Sequence, residues 1–197
     1  MGTTRMETLF DGVVAIIITI MVLEMKAPHG TSIEALSPLI PVLLSYVLSF
    51  VYLGIYWNNH HHMMQACEKV TGSMLWANLH LLFWLSLIPF TTGWMGENHF
   101  AKLPAAAYGV VLLMSAIAYL ILQKRIIASQ GDDSLLKKAV GRDWKGKLSA
   151  ILNVAAILLA FLSSWLSMAI YVLVALIWVV PDRRIERSMS EMKHNPS

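Results

Sequence analysis

The sequence is 197 residues long, and 57% of its residues are hydrophobic while only 14% are charged. Soluble domains carry about a quarter charged residues, so this composition excludes an ordinary soluble fold. The net charge of +3 comes without a basic stripe or an RNA-binding motif, so we do not expect nucleic acid as a partner. The hydrophobic residues fall in long runs with hardly a charge, which indicates an all-α polytopic membrane protein in a lipid bilayer.

The hydrophobic runs predict six transmembrane helices in a single domain. The third run contains Pro89, which should kink its helix. The last hydrophobic region, 148–180, would form a helix of ~50 Å, against a hydrocarbon core of ~30 Å, so we divide it near Ser163. The predicted spans cover about residues 8–25, 38–61, 73–94, 103–122, 148–163 and 166–181.

The distribution of Lys and Arg predicts the topology. With six spans, thirteen of these residues lie on the side of the two termini and two lie on the other side. With five spans the division would be nine against six. The positive-inside rule therefore favours six spans, cytoplasmic N- and C-termini, and a polar cytoplasmic tail at 182–197.

Three polar clusters fall at one predicted depth, close to the cytoplasmic ends of the first three helices. Their members are Arg5 and Asp11 on the first helix, Trp57, His60 and His61 on the second, and Asn78 on the third. Polar groups inside a span are costly, so each needs a partner on another helix. The clusters predict either a network that positions or gates the first helix, or a structural clamp with no further role.

Neither metal binding nor catalysis is expected. His60, His61 and His62 are adjacent, so on a helix they point in different directions, and no carboxylate or cysteine follows at ligand spacing. No catalytic triad, zinc-protease motif or phosphate-binding loop occurs either. The sequence therefore predicts a protein that is not an enzyme and that has no cofactor.

The first helix carries a hydrophobic stripe. Ile16, Ile20 and Leu23 are spaced i, i+4 and i+7, so they share one face, and Thr19 lies at its edge. The stripe predicts either aliphatic side chains that face lipid or neighbouring helices, or a pore lining. In a symmetric oligomer such residues would form stacked hydrophobic constrictions, which gate by dewetting.

The same helix resembles the first-helix signature of the transmembrane protein 175 potassium channel family. That signature is Arg-x-x-x-Phe-Ser-Asp-Gly-Val, followed by Ala-Ile and Thr. The matching residues here are Arg5, Leu9, Phe10, Asp11, Gly12 and Val13, followed by Ala15, Ile16 and Thr19. The patterns around Trp57, His60 and His61 and around Asn78, Pro89 and Phe90 resemble the family's second and third helices. The resemblance covers about residues 5–95.

The resemblance implies a prokaryotic channel that assembles as a homotetramer, with the first helices lining the pore. It implies bottleneck positions at Ile16, Ile20 and Leu23, with Thr19 offering a hydroxyl. It also implies that Arg5 and Asp11 form a network, with Trp57, His60, His61 and Asn78 as partners. One departure is that Leu9-Phe10 replaces the family's Phe-Ser, which removes a hydroxyl beside Asp11.

These observations predict a channel of the cell membrane that conducts K⁺ passively and prefers it to other monovalent cations. The alternative is a secondary transporter that couples protons through Asp11, His60 and His61, although no inverted repeat or paired broken helices are evident. A membrane scaffold or accessory subunit is a third possibility. Saturable, proton-coupled flux would favour the transporter, and no flux of any ion would favour the scaffold.

Overall fold

The structure is a computed structural model that describes residues 2–130 and 144–179, and every regular element in these residues is helical. A 3₁₀-helix at Ile33–Leu39 precedes the second α-helix. The α-helices are α1 (Thr3–Leu23), α2 (Ile40–Gln65), α3 (Gly72–Ser86), α4 (Ile88–Glu97), α5 (Lys102–Gln130), α6 (Trp144–Ala160) and α7 (Ser164–Val179). The predicted tail at 182–197 and the middle of the charged 123–147 segment lie outside the described residues.

Four helical segments among the described residues are long and apolar enough to cross a membrane: Thr3–Leu23, Ile33–Gln65, Gly72–Glu97 and Lys102–Gln130. The last hydrophobic region contains two shorter helices, α6 with 17 residues and α7 with 16. They are separated at 161–163, next to the predicted division. Together these helices make the described chain a polytopic helical bundle.

Several helices extend beyond the predicted hydrophobic spans. Helix α1 begins at Thr3 rather than near residue 8, and α5 continues to Gln130 rather than ending near residue 122. The added residues include Arg5, Lys124 and Arg125, whose side chains favour helix but not hydrocarbon. Hydropathy therefore located the apolar part of each helix, whereas backbone hydrogen bonding continues into the polar flanks.

The third predicted helix is interrupted at one residue, Leu87, next to the proline where a kink was predicted, and the two parts form one apolar span, Gly72–Glu97. Helix α3 ends at Ser86, Leu87 caps it, and α4 begins at Ile88 with Pro89 in its first turn. Proline has no N–H to donate and its ring crowds the carbonyl four residues earlier, so it fits a first turn better than a helix interior. After this break α4 packs against α2 and α5.

Two buried clusters stabilise the bundle. One joins α1, α2, α3, α5 and the first residue of α4, and the other joins α2, α4, α5, α6 and α7. Hydroxyl groups connect the helices in the second cluster, where Ser49 Oγ lies 2.7 Å from Thr92 Oγ1 and 3.0 Å from Tyr108 Oη. Tyr171 Oη donates to the Ala105 carbonyl over 3.1 Å. Such interhelical hydrogen bonds satisfy polar groups where no water is available.

Replacing Gly109 with alanine is expected to lower the free energy of unfolding by about 1–3 kcal/mol, the usual cost of overpacking a core. A Cβ at Gly109 would meet the Tyr171 hydroxyl and lie 2.8 Å from Ile157 Cγ1. Gly54→Ala is the matched control, because a Cβ there meets nothing within 4 Å. Thermal unfolding in detergent measures both, and equal stability of the two variants would contradict the close α5–α7 contact.

Candidate functional site

Helix α1 lies at one side of the bundle and has two different faces. Its buried face contacts α2, α3 and α4. The residues of that face are Met6, Phe10, Val14, Ile17 and Met21. Their spacing of three or four residues keeps them on one side of the helix, so the opposite side is left without cover from the described part of the chain.

The hydrophobic stripe lies on this uncovered side. Ile16 is 61% exposed, Ile20 41% and Leu23 76%. Thr19 is also exposed, and its hydroxyl donates to the Ala15 carbonyl over 2.8 Å. The hydroxyl proton is thereby used within the helix, and the oxygen remains available on the exposed side as an acceptor.

The exposed residues continue the stripe along the whole helix in alternating steps of four and three. The series is Arg5, Leu9, Gly12, Ile16, Thr19 and Leu23, and all six are exposed. A 4–3 spacing is the pattern by which parallel helices pack around a common axis. The uncovered side of α1 is therefore a continuous seam suited to contact with other copies of the same helix.

Two hydrogen bonds join α1 to α2 near the N-terminus of α1. Trp57 Nε1 donates to Asp11 Oδ1 over 2.9 Å, and His61 Nδ1 donates to Glu7 Oε1. Glu7 and Asp11 are four residues apart on α1, and Trp57 and His61 are four apart on α2. Since the helices are antiparallel, the two pairs form successive rungs of one ladder.

His60 lies on the other side of this ladder and is buried. Its ring stacks on Phe10, with centroids 3.7 Å apart and planes at 6°. Its Nε2 donates to Asn78 Oδ1 over 2.9 Å, which extends the contact to α3. The structure thus brings five of the predicted network residues to one place: Asp11, Trp57, His60, His61 and Asn78.

Arg5 does not join this cluster within one chain. Its side chain is exposed and makes no hydrogen bond or ion pair with the described residues. The reason is helical phase, because Arg5 precedes Ile16 by eleven residues, about three turns, and so lies on the seam rather than toward α2. The expected partner of Arg5 on another helix is not found among the described residues of one chain, so it stays a prediction.

The three adjacent histidines have three different environments. His60 bonds to Asn78 and His61 to Glu7, while His62 Nδ1 is buried without a hydrogen-bond partner among the described residues. Gln65 Nε2 lies 2.8 Å from His61 Nε2, so a neutral ring protonated on Nδ1 satisfies both contacts of His61. These directions do not converge on a common point.

Glu7 is the member of the site that sequence reasoning missed. Its signal was the i, i+4 spacing with Asp11, which places two carboxylates on the side of α1 that faces α2. The same spacing separates Trp57 and His61. Two acceptors and two donors at equal spacing on antiparallel neighbouring helices would have predicted the ladder.

Replacing Trp57 with phenylalanine is expected to lower the free energy of unfolding by about 1 kcal/mol, near the net value of a hydrogen bond at a partly exposed site. The change keeps the aromatic ring beside His61 and removes the N–H that Asp11 accepts. Trp76→Phe is the matched control, since Trp76 is 76% exposed. If thermal unfolding shows equal losses for both variants, the Trp57–Asp11 bond does not stabilise the α1–α2 contact.

Comparison with known proteins places this arrangement in a family. Residues 5–89, which include every residue of the seam and the ladder, match the family described as endosomal/lysosomal potassium channel TMEM175. The chain is 54% identical over 187 residues to a potassium channel of Chryseobacterium sp. (strain P1-3), covering 95% of this chain and 97% of that relative. The chain belongs to the TMEM175 potassium channel family.

Two further matches come from Chamaesiphon minutus. A potassium channel of that organism is 29% identical over 188 residues, covering 88% of this chain and 92% of the relative. A crystal structure of a lysosomal potassium-selective channel TMEM175 homolog from the same organism matches with a TM-score of 0.77 and 27% identity, over 91% of this chain and 97% of that one. The TMEM175 fold therefore extends over nearly the whole chain, which is a multi-pass membrane protein of an ion channel family.

Proposed function

We propose that the protein is a potassium channel that conducts passively and prefers K⁺ to other monovalent cations. Three relatives or structural neighbours are named as potassium channels, and one of them matches over 95% of the chain. Family membership does not favour the proton-coupled transporter. The observation that carries the proposal is the seam of α1, which leaves an apolar helix uncovered from Arg5 to Leu23.

The seam is proposed to form the pore in a homotetramer. Four copies of α1 around one axis would cover the exposed side chains of Ile16, Ile20 and Leu23, and these would form successive hydrophobic rings. Thr19 would add a ring of hydroxyl oxygens that partly replaces the hydration shell of the ion. Apolar rings offer no substitute for water, so they penalise the more strongly hydrated Na⁺ more than K⁺.

The ladder and the His60 cluster are proposed to hold each α1 at a fixed distance from the pore axis. Asp11, Trp57, His60, His61 and Asn78 attach the N-terminal half of α1 to α2 and α3. The C-terminal half carries the narrow rings and is held by apolar packing of Ile17 and Met21. A change in the ladder would therefore tilt α1 and alter the width of the pore.

The proposed topology has six spans in the cell membrane with both termini in the cytoplasm. The thirteen-to-two division of Lys and Arg supports it. Helices α3 and α4 together make the third span, and α6 and α7 make the fifth and sixth. The ladder then lies near the cytoplasmic face, and Leu23 lies toward the external end of the pore.

Purified protein in liposomes is expected to give K⁺ flux down a gradient without a coupled proton, with reversal potentials closer to the K⁺ than to the Na⁺ equilibrium potential. Native mass spectrometry is expected to show four copies. Flux that requires a proton gradient would support a transporter instead. Absence of flux for every ion tested would contradict the channel.

A further inference from the structure

A cavity of about 50 Å³ lies between α2, α5, α6 and α7, on the side of the bundle away from α1. Its wall is mostly apolar and aromatic, and includes Tyr56, Leu112 and Trp178. Its polar side-chain groups are those of Asn59, Ser149 and Asn153, the indole N–H of Trp178, and three tyrosine hydroxyls that already donate to backbone carbonyls, on Tyr52, Tyr56 and Tyr119. No α1 residue borders it, so the cavity is separate from the proposed pore.

One side chain in this wall has an unused hydrogen-bonding group. Asn153 is 2% exposed, and its Oδ1 has no hydrogen-bond partner among the described residues. The neighbouring polar groups are already engaged: Asn59 Nδ2 donates to the Ile55 carbonyl over 2.8 Å, and Ser149 Oγ accepts from Trp178 Nε1 over 2.7 Å. A buried acceptor without a donor is costly, so the cavity favours a ligand that carries a hydrogen-bond donor.

The size and chemistry of the cavity limit which ligands can donate this hydrogen bond. None of the residues lining it is ionisable in the physiological range or carries a charge, so a charged ligand would be desolvated without a counterion. One water requires ~10–15 Å³ by the same measure, so the space accepts a molecule of about three to five heavy atoms. Buried waters require two to four polar partners each, which the apolar part of the wall does not supply.

We infer that this cavity is a binding site for a small neutral molecule with one hydrogen-bond donor and a short apolar body, of the type of a short-chain alcohol. The hydroxyl donates to Asn153 Oδ1, and the carbon atoms lie against the aromatic and aliphatic wall. Trp178 borders the site, which makes occupancy measurable without any assay of ion flux.

The experiment uses the full chain in detergent micelles and 2-bromoethanol, which has four heavy atoms and a bromine that quenches tryptophan fluorescence. Quenching of Trp178 is expected to saturate as the concentration of 2-bromoethanol rises. Collisional quenching of the other tryptophans rises linearly with concentration and is subtracted. Bromoethane has the same body without the hydroxyl, and is expected to saturate about tenfold more weakly, as the loss of one hydrogen bond predicts. Equal saturation by both compounds would overturn recognition of the donor.

Two variants test the location. Asn153→Leu removes the acceptor at nearly constant volume, and Ala116→Leu fills the cavity and leaves Asn153 in place. Both are expected to lose the saturable component, while Asn98→Leu, at an exposed position away from the cavity, retains it. A saturable component that persists in Asn153→Leu and Ala116→Leu, or that is absent from the unmodified protein, overturns the inference.

Reversibility distinguishes binding from alkylation. The lone cysteine, Cys67, is buried, and burial raises the pKa of its thiol, so little of the reactive thiolate forms at neutral pH. Fluorescence is expected to recover fully on dilution of 2-bromoethanol. Quenching that survives dilution is covalent modification and overturns the assignment of the saturable component to the cavity.

Discussion

Ile16→Asn is expected to increase total cation conductance and to lower the K⁺-to-Na⁺ permeability ratio toward one. Ile16 is the first of the three proposed bottleneck rings from the cytoplasmic side of the tetramer, and its side chain is 61% exposed in the single chain. A carboxamide at this ring offers oxygen and nitrogen to water, so the constriction stays wet and ions pass with more of their hydration shell. Lowering the barrier by about 1.4 kcal/mol would raise the conductance about tenfold.

Val22→Asn is the matched control for this change. Val22 is also an exposed apolar residue of α1, at 43%, but it lies about 120° around the helix from Ile16 and off the seam. It should leave the permeability ratio unchanged. Bi-ionic reversal potentials in planar bilayers measure both variants. If the two asparagines have the same effect, or if Ile16→Asn has none, the narrow part of the pore is not at the Ile16 ring.

The seam of α1 was predictable from spacing because it depends on helical phase alone. Ile16, Ile20 and Leu23 share a face in any α-helix. Predicting that shared face requires no knowledge of where the other helices lie. The continuation of the stripe to Arg5 follows the same periodicity. It was missed because the charge of Arg5 suggested a partner within the chain.

The partners of Asp11 were predictable as a group but not one by one. Trp57, His60 and His61 are all near it in depth, and around α2 His60 lies about 60° from Trp57 and about 100° from His61. Which of them meets Asp11 depends on the rotation of α2. Packing sets that rotation, because His60 is buried against Phe10 and Asn78, which turns Trp57 toward Asp11.

Two other features depend on several helices meeting, and neither could be predicted in full from the sequence. The cavity beside Asn153 exists because α2, α5, α6 and α7 leave a gap where they pack, and an asparagine in an apolar run does not indicate that its oxygen is unpaired. The break at Leu87 was visible as Pro89. A proline indicates that a helix is disturbed there, but the surrounding packing decides between a kink and two separate helices.

A second large effect, on stability, is expected at Phe10. This residue belongs to the Leu9-Phe10 pair that stands where the family signature has Phe-Ser. In this chain Phe10 is fully buried and stacks on His60, whereas Leu9 is 47% exposed on the seam. The aromatic ring therefore stabilises the contact between α1 and α2 at the position where the family has a hydroxyl. Asp11, which follows it, accepts a hydrogen bond from Trp57.

Phe10→Ala is accordingly expected to lower the free energy of unfolding by about 3–5 kcal/mol, the usual cost of truncating a buried aromatic residue. The change leaves a void between α1 and α2 and removes the stacking partner of His60, so the His60–Asn78 hydrogen bond is also weakened. Thermal unfolding in detergent measures the loss, and single-channel recording is expected to show unstable open times because α1 is less firmly held.

Phe83→Ala is the control, because it removes an aromatic ring that is not buried. Phe83 is 56% exposed on α3, so its truncation removes little buried surface and is expected to cost less than about 1 kcal/mol. A large difference between the two variants places the stabilising contact at Phe10 and His60. Equal losses would mean that the contact between Phe10 and His60 does not stabilise α1, and that the ladder and the remaining apolar residues of the buried face hold the helix.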